Sequence, residues 1–153
     1  MTLMISSMIG FGVVSGAAAA AAKGELWTWG RSNAGQGGRG NTTDVSSPNQ
    51  VGSLTNWAYV SGEFQNHIAV TSDGKLFSWG HNGNGELGHG NTTGLSSPVQ
   101  VGSLTNWATV HMSYFTIAVK TDGTLWTWGH NVKGALGHGN TTGLSLPAQV
   151  GSL

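Results

Sequence analysis

No cysteine occurs in the chain, which excludes disulfides, zinc–cysteine sites and thiol catalysis and leaves the compartment open. Charge is scarce as well: 8% of residues are Asp, Glu, Lys or Arg, against about 25% in an ordinary soluble domain. Six basic residues balance six acidic ones, so there is no basic face to hold a phosphate backbone, and nucleic acid is not an expected partner. So few charges of either sign also do little to keep copies apart, and association with other chains is the physical expectation. No apolar stretch is long and uninterrupted enough for a membrane span, which needs about 20 such residues. Proline is limited to three residues, whereas glycine supplies 26 and tryptophan seven of the 153. That much glycine without a Gly-X-Y period indicates frequent tight turns rather than collagen, and the tryptophans argue against disorder.

What the chain does have is repetition. GELWTWG (24–30) returns as GKLFSWG (74–80) and GTLWTWG (123–129), at spacings of 50 and 49 residues, within the range of propeller blades. NTTDVSSPNQVGSLTNWA (41–58) matches NTTGLSSPVQVGSLTNWA (91–108) at fifteen of eighteen positions, and NTTGLSLPAQVGSL (140–153) follows the same line. The repeats run from about 24 to 73, 74 to 122 and 123 to 153.

Each unit reads as four short strands. NWAYV (56–60) and NWATV (106–110) come first, and IAV follows at 68–70 and 117–119. The pairs Asp73-Gly74 and Asp122-Gly123 suit hairpin turns that need positive φ, which glycine tolerates freely and Asp better than most. The opening motif is the third strand, with Leu26 and Thr28 on one face and Trp27 and Trp29 on the other. A glycine-rich loop leads to the fourth strand, read as PVQVGSL in the second copy. Such a sheet cannot bury both faces alone, and stacking sheets around an axis would bury them. The fold expected is all-β, with about three antiparallel four-stranded propeller-type blades and a ring left incomplete in one chain.

The pattern GxLWTWGxNxxGxLGxGNTTxxSxPxQV, with Trp-x-x-Val and IAV segments ahead of it, resembles the repeat of the regulator of chromosome condensation family across residues 24–153. That resemblance implies blades of a seven-bladed β-propeller and a protein-interaction role, some relatives acting as exchange factors for small GTPases. The near-uniform copies also resemble low-charge versions in bacteriophage structural proteins. Asn66 and Phe115 stand where many relatives carry histidine, so the hydrogen bond that histidine makes is not carried over.

Residues 1–23 form an apolar, Gly/Ala-rich arm with no charge before Lys23. One reading is a secretory signal, with small residues at Ala20 and Ala22 but no positive n-region. The favoured reading aligns FGVVSG (11–16) with WAYVSG (57–62) as a degraded half-repeat, and makes Met8, Ile9, Phe11, Val13 and Val14 an assembly arm that docks on a neighbouring chain.

Candidates for chemistry are few. His81 and His89 recur as His130 and His138, but Arg31 and Arg39 occupy the same places in the first copy, and arginine does not ligate a metal at neutral pH. A metal site is therefore not expected. His67 and His111 share no repeat position and read as lone polar groups at blade edges. The carboxylates are scattered, no GxSxG elbow appears, and the glycine loops lack the Lys-Ser/Thr of a phosphate cradle. No catalytic residue and no cofactor are expected. The Asn-Thr-Thr triplets at Asn41, Asn91 and Asn140 read as loop caps. Trp27, Trp29, Trp57, Phe77, Trp79, Trp107, Trp126 and Trp128 are assigned to blade packing, the competing use being a ladder for surface glycans.

The functional expectation is a non-catalytic structural or adhesive protein, a phage capsid-decoration or tail-fibre subunit in the virion that assembles with its own copies and other virion proteins. The alternatives are a protein-interaction propeller of the chromosome-condensation-regulator type or a secreted, extracellular carbohydrate-binding module.

Overall fold

The computed structural model describes residues 2–7, as backbone, and residues 24–151. Among them lie eleven strands and no helix. The first sheet holds β1 (Thr2–Ser7), β2 (Glu25–Gly30) and β3 (Val45–Gln50). The second runs β4 (Trp57–Glu63), β5 (Asn66–Thr71), β6 (Leu76–Gly80) and β7 (Leu95–Gln100), and the third runs β8 (Trp107–Met112), β9 (Phe115–Lys120), β10 (Leu125–Gly129) and β11 (Leu144–Gln149). The second and third sheets are antiparallel meanders in sequence order. In the first, β2 and β3 match the third and fourth strands of the other two, and β1 lies along β2 in parallel, Thr2 opposite Glu25 and Ser7 opposite Gly30. No strand was read from the sequence at 2–7.

Local chemistry explains the details. The third strand ends on a glycine with positive φ, Gly80 at 101°, just where its pairing with the fourth strand shifts register. A Cβ at Gly80 would lie 2.1 Å from the Gln65 carbonyl oxygen, so only glycine lets the hairpin tip approach. The fourth strand is the sheet edge, which accommodates Pro48, Pro98 and Pro147 because an edge residue can spare its N–H. It starts at Leu95 rather than at Pro98, and Gly102-Ser103-Leu104 bends away after the Val101 N–H bonds the Leu76 carbonyl at 2.8 Å. In the hairpin turns the positive φ falls on glycine alone: Gly74 is at 77° and donates to the Thr71 carbonyl at 2.8 Å, while Asp73 keeps negative φ. Asp73 instead accepts from Asn56 at 3.1 Å and pairs with Lys75 at 2.7 Å. Asp122 accepts from the backbone N–H of Thr124 at 3.0 Å and from its hydroxyl at 2.7 Å.

The core lies between sheets rather than within one. Leu26, Val51, Trp57, Val60, Ala69 and Trp79 fill the first interface, and Ile68, Val70, Leu76, Leu87, Val101, Trp107, Val110, Met112, Ala118 and Trp128 fill the second. Strand β5 shows why: every residue from Asn66 to Thr71 is buried, with Ala69 facing the first sheet and Ile68 and Val70 the third. These are propeller-type blades, and among the described residues the three sheets do not close a ring.

Candidate functional site

Many polar side chains of the glycine-rich loops serve the loops themselves. Asn82 accepts the Leu87 N–H at 2.9 Å and donates to the carbonyls of Asn91 and Thr93, each at 3.0 Å. Asn131 repeats this with Leu136, Asn140 and Thr142 at 2.9, 3.1 and 2.8 Å. Ser32, in the same place of the first loop, accepts the Gly37 N–H at 3.1 Å. Asn41, Asn91 and Asn140 each accept the N–H two residues on, at 3.0, 2.8 and 2.9 Å.

The repeated histidines have an equally local use. His89 Nε2 lies 2.9 Å from the Ser78 hydroxyl, and His138 Nε2 lies 3.0 Å from the Thr127 hydroxyl. Each hydroxyl spends its proton on a carbonyl, Ser78 on Leu87 and Thr127 on Leu136, both at 2.7 Å. The hydroxyl must therefore accept from the ring, which places the proton on Nε2. Arg39 fills the same slot and donates to Thr28 at 2.9 Å, and Thr28 donates to Gly37 at 2.6 Å. A Ser–His contact of this length resembles a nucleophile and its base, but Ser78 is 0% exposed and its proton is already committed. Burial also holds the His89 pKa below the usual histidine range. Among the described residues no three His, Asp or Glu side chains converge as metal ligands do.

His67 is not at a blade edge. It is 4% exposed and stacks on Trp79 with centroids 5.7 Å apart. It bonds the Gln36 backbone carbonyl, and its Nδ1 has no partner. Burial lowers its pKa to about 4, the carbonyl bond opposing in part. In the next blade Thr116 takes this position and donates to the Glu86 carbonyl at 2.9 Å. His111, by contrast, is exposed.

The tryptophans divide by strand. Trp79 and Trp128, each 0% exposed, reach across to the preceding blade, donating to the Gln36 carbonyl at 2.9 Å and the Glu86 carbonyl at 2.8 Å. Trp57 and Trp107 are buried beside them, at 6.2 and 6.0 Å between centroids. Phe77 packs edge-on to Trp57 at 5.2 Å, and Trp126 to Trp107 at 6.0 Å. Lys120 is drawn into the second pair, its Nζ 3.5 Å from the Trp126 centroid, and burial lowers its pKa against the field of Asp122. Trp27, Trp29 and Trp126 are half-buried, and no tryptophan is among the exposed large apolar side chains of the described residues. Met8, Ile9, Phe11, Val13 and Val14 lie outside the described residues.

Two aromatics that the repeat pattern did not single out stand in the open. Phe64 is 68% and Tyr114 63% exposed, on the hairpin tips β4–β5 and β8–β9. The tips are tied together: Ser113 donates its hydroxyl to the Glu63 carboxylate, and Asn66 donates to the Ser113 carbonyl at 3.4 Å. The loop of each blade starts on its own tip, His81 N–H bonding Gln65 at 2.8 Å and His130 N–H bonding Tyr114 at 3.2 Å. Phe64 has φ of 53°, the one positive φ at a non-glycine among the described residues. A bulky side chain there is held against its own backbone preference. The sequence signal was the extra residue between the first and second strands of that repeat, which accounts for the 50-against-49 spacing.

Residues 23–62, 73–119 and 122–153 match the Regulator of chromosome condensation (RCC1) repeat. A search of curated proteins returned no match. Among solved structures, Prp20p of Saccharomyces cerevisiae is similar with a TM-score of 0.74 and 21% identity, over 84% of this chain and 34% of that one. Human WBSCR16 gives 0.72 and 23%, over 84% and 33%. Yeast RCC1 (Prp20) bound to Kap60 gives 0.70 and 19%, over 82% and 32%. The chain thus spans about a third of the length of each structure it matches.

Proposed function

The chain belongs to the RCC1 repeat family, and on that premise we propose that it is a non-catalytic protein-interaction module whose blades present the β4–β5 and β8–β9 hairpin tips to a protein partner. The observation that carries this reading is the exposure of Phe64 and Tyr114 on tips pinned side by side. The Asn82 and Asn131 amides and the His89 and His138 imidazoles are committed to the fold, so what the rim offers is chiefly contact area. Exposed aromatics on rigid supports are what interface anchors are made of, and a strained backbone under one of them fits a position held for contact.

Prp20p was described together with its binding to Gsp1p and histones, and these are the first partners to try. The chain's zero net charge argues for apolar and hydrogen-bonded contacts, so binding should respond weakly to salt. A glycan ladder is not favoured, because the tryptophans are buried or half-buried. The virion role takes no support from these yeast and human relatives. The test compares wild type with the double variant Phe64→Ser/Tyr114→Ser, against purified Gsp1p, histones and a yeast lysate, with thermal unfolding as the control for folding. The expected result is a protein retained by wild type and at least tenfold depleted on the variant. Equal retention on both, or no protein retained by either, refutes the proposal.

A further inference from the structure

A continuous set of contacts joins the first blade to the β4–β5 hairpin tip, with His67 at one end. Its ring donates to the Gln36 backbone carbonyl, the group that also receives the Trp79 indole N–H at 2.9 Å. The Gln36 side chain donates to the Asn33 side chain at 3.3 Å, and the same Asn33 oxygen receives the Gln65 amide of the tip at 3.4 Å. The Gln65 carbonyl in turn receives the His81 N–H at 2.8 Å. Next to Gln65 stands Phe64, 68% exposed. The first glycine-rich loop (31–40) and the tip that carries Phe64 are therefore held together through Gln36 and Asn33.

The ring lies in a place shaped for it. His67 is opposite Gly62 on β4 and Trp79 on β6, and a Cβ on Gly62 would lie 2.3 Å from the His67 Cδ2. The next blade has Met112 opposite Thr116 at these positions, and Thr116 serves the Glu86 carbonyl at 2.9 Å with a hydroxyl that does not titrate. On His67, Nδ1 is buried without a partner, and that atom takes the second proton. The ionisable groups of the surrounding elements are engaged elsewhere. Glu25 receives the Trp27 indole, Asp44 the Ser32 N–H and Glu63 the Ser113 hydroxyl. Arg39 donates to Thr28 and Thr43, His81 lies 3.6 Å from Glu86, Lys75 pairs with Asp73, and Arg31 is exposed. None of them sets the His67 pKa, which burial lowers and the Gln36 carbonyl bond raises in part.

We infer that His67 is an acid-released latch on the hairpin-tip contact surface: a second proton on its ring frees the first loop from the β4–β5 tip, and Phe64 leaves the position in which it meets a partner. A charged imidazolium with an unbonded N–H is costly in the buried slot beside Trp79, and moving the ring to solvent relieves that cost. Latched, the ring takes this proton near pH 4; released, near the ordinary 6.5. Between these values protons favour the released state. From pH 7.5 to pH 5.0 the ratio of released to latched molecules therefore rises about 30-fold. The use of the latch in partner control rests on the hairpin-tip reading, whereas the latch itself is a property of the chain alone.

Hydrogen exchange on the full chain, followed by nuclear magnetic resonance at pH 7.5 and 5.0, tests this. The reporters are the Trp79 indole N–H on Gln36 and the His81 N–H on the Gln65 carbonyl. The references are their counterparts beside Thr116, the Trp128 indole N–H on Glu86 and the His130 N–H on Tyr114. At pH 5.0 each reporter should lose about 30-fold in protection relative to its reference, and His67→Thr should abolish the loss. His89, held low by burial on the second loop, titrates alike in both proteins and drops out of the comparison. Reporters that keep pace with their references in wild type overturn the latch, as does an equal loss in His67→Thr. Should His67→Thr fail to fold, the wild-type reporters and references still decide the question. No partner is needed for this measurement, so a chain that retains no protein at pH 7.5 but shows the expected exchange refutes the hairpin-tip reading and upholds the latch.

Discussion

Acidification should loosen the interface between the first two blades through His67, and replacing that residue by the threonine of the next blade should abolish the effect. His67 folds as a neutral ring that gives its one proton to the Gln36 carbonyl. Adding a second proton places a charge and an unbonded N–H beside Trp79, in a buried site. The folded pKa of about 4 lies below the ordinary 6.5, so between these values the unfolded chain binds more protons and stability falls as pH falls. The contribution is complete above pH 6.5 and lost on the way to pH 4, by about 3 kcal/mol at the lower value. That is a large share of the roughly 5–15 kcal/mol that hold a domain folded. His67→Thr copies Thr116, which serves the equivalent carbonyl without titrating. At neutral pH the variant should be less stable by roughly 1–3 kcal/mol, for the ring lost beside Trp79. Near pH 4 the order should reverse. Urea unfolding followed by tryptophan fluorescence at pH 7.5 and 4.0 supplies the comparison. His89, held low by burial, and Asp73 and Asp122, held low by the Lys75 and Thr124 side chains, titrate alike in both proteins and cancel in the difference. A stability difference between wild type and His67→Thr that is the same at both pH values refutes the account.

Two further perturbations separate contact types at the blade interfaces. Trp79→Phe retains an aromatic ring but removes the bond to Gln36, whose carbonyl still has His67 as a donor, and part of the buried indole volume, so it should cost about 2 kcal/mol. Trp79→Ala empties the slot and should cost roughly 3–5 kcal/mol; equal costs in urea unfolding would contradict this. Gly74→Ala and Gly123→Ala impose the same left-handed strain, at φ of 77° and 82°, worth about 1–2 kcal/mol. The Gly74 Cβ would in addition lie 2.1 Å from the Thr105 carbonyl oxygen, whereas nothing lies within 4 Å of the other. Thermal unfolding should therefore show Gly74→Ala as much the more damaging.

The strand order of the blades was legible because the signals are local. Alternation in LWTWG, the Asp-Gly turns and the recurring Asn-Trp-Ala each specify a few neighbouring residues, and the second and third sheets follow them. What escaped depends on contacts about 30 to 50 residues apart in the chain. His67 reads as a lone polar group because nothing near it in sequence shows that the Gln36 carbonyl and the Trp79 ring will enclose it. Phe64 and Tyr114 fall outside the repeated pattern, and their exposure appears only once Glu63 and Ser113 are seen to join the tips. Strand β1 runs parallel to β2, a pairing that hairpin turn signals do not encode.

The alternation of Arg39, His89 and His138 shows how far a repeat can vary while its physics stays fixed. The slot asks for one N–H donor that reaches the hydroxyl of Thr28, Ser78 or Thr127, because that hydroxyl has already given its proton to the loop carbonyl. Guanidinium and the Nε2–H imidazole both satisfy this, so the position tolerates a change of charge and chemical class. The inter-blade carbonyls of Gln36 and Glu86 obey the same logic from the other side: an indole occupies each, while the second donor is an imidazole in one and a hydroxyl in the other. Donor direction is what is held constant. Side-chain identity is constrained mainly where a ring must also fill volume, as Trp79 and Trp128 do.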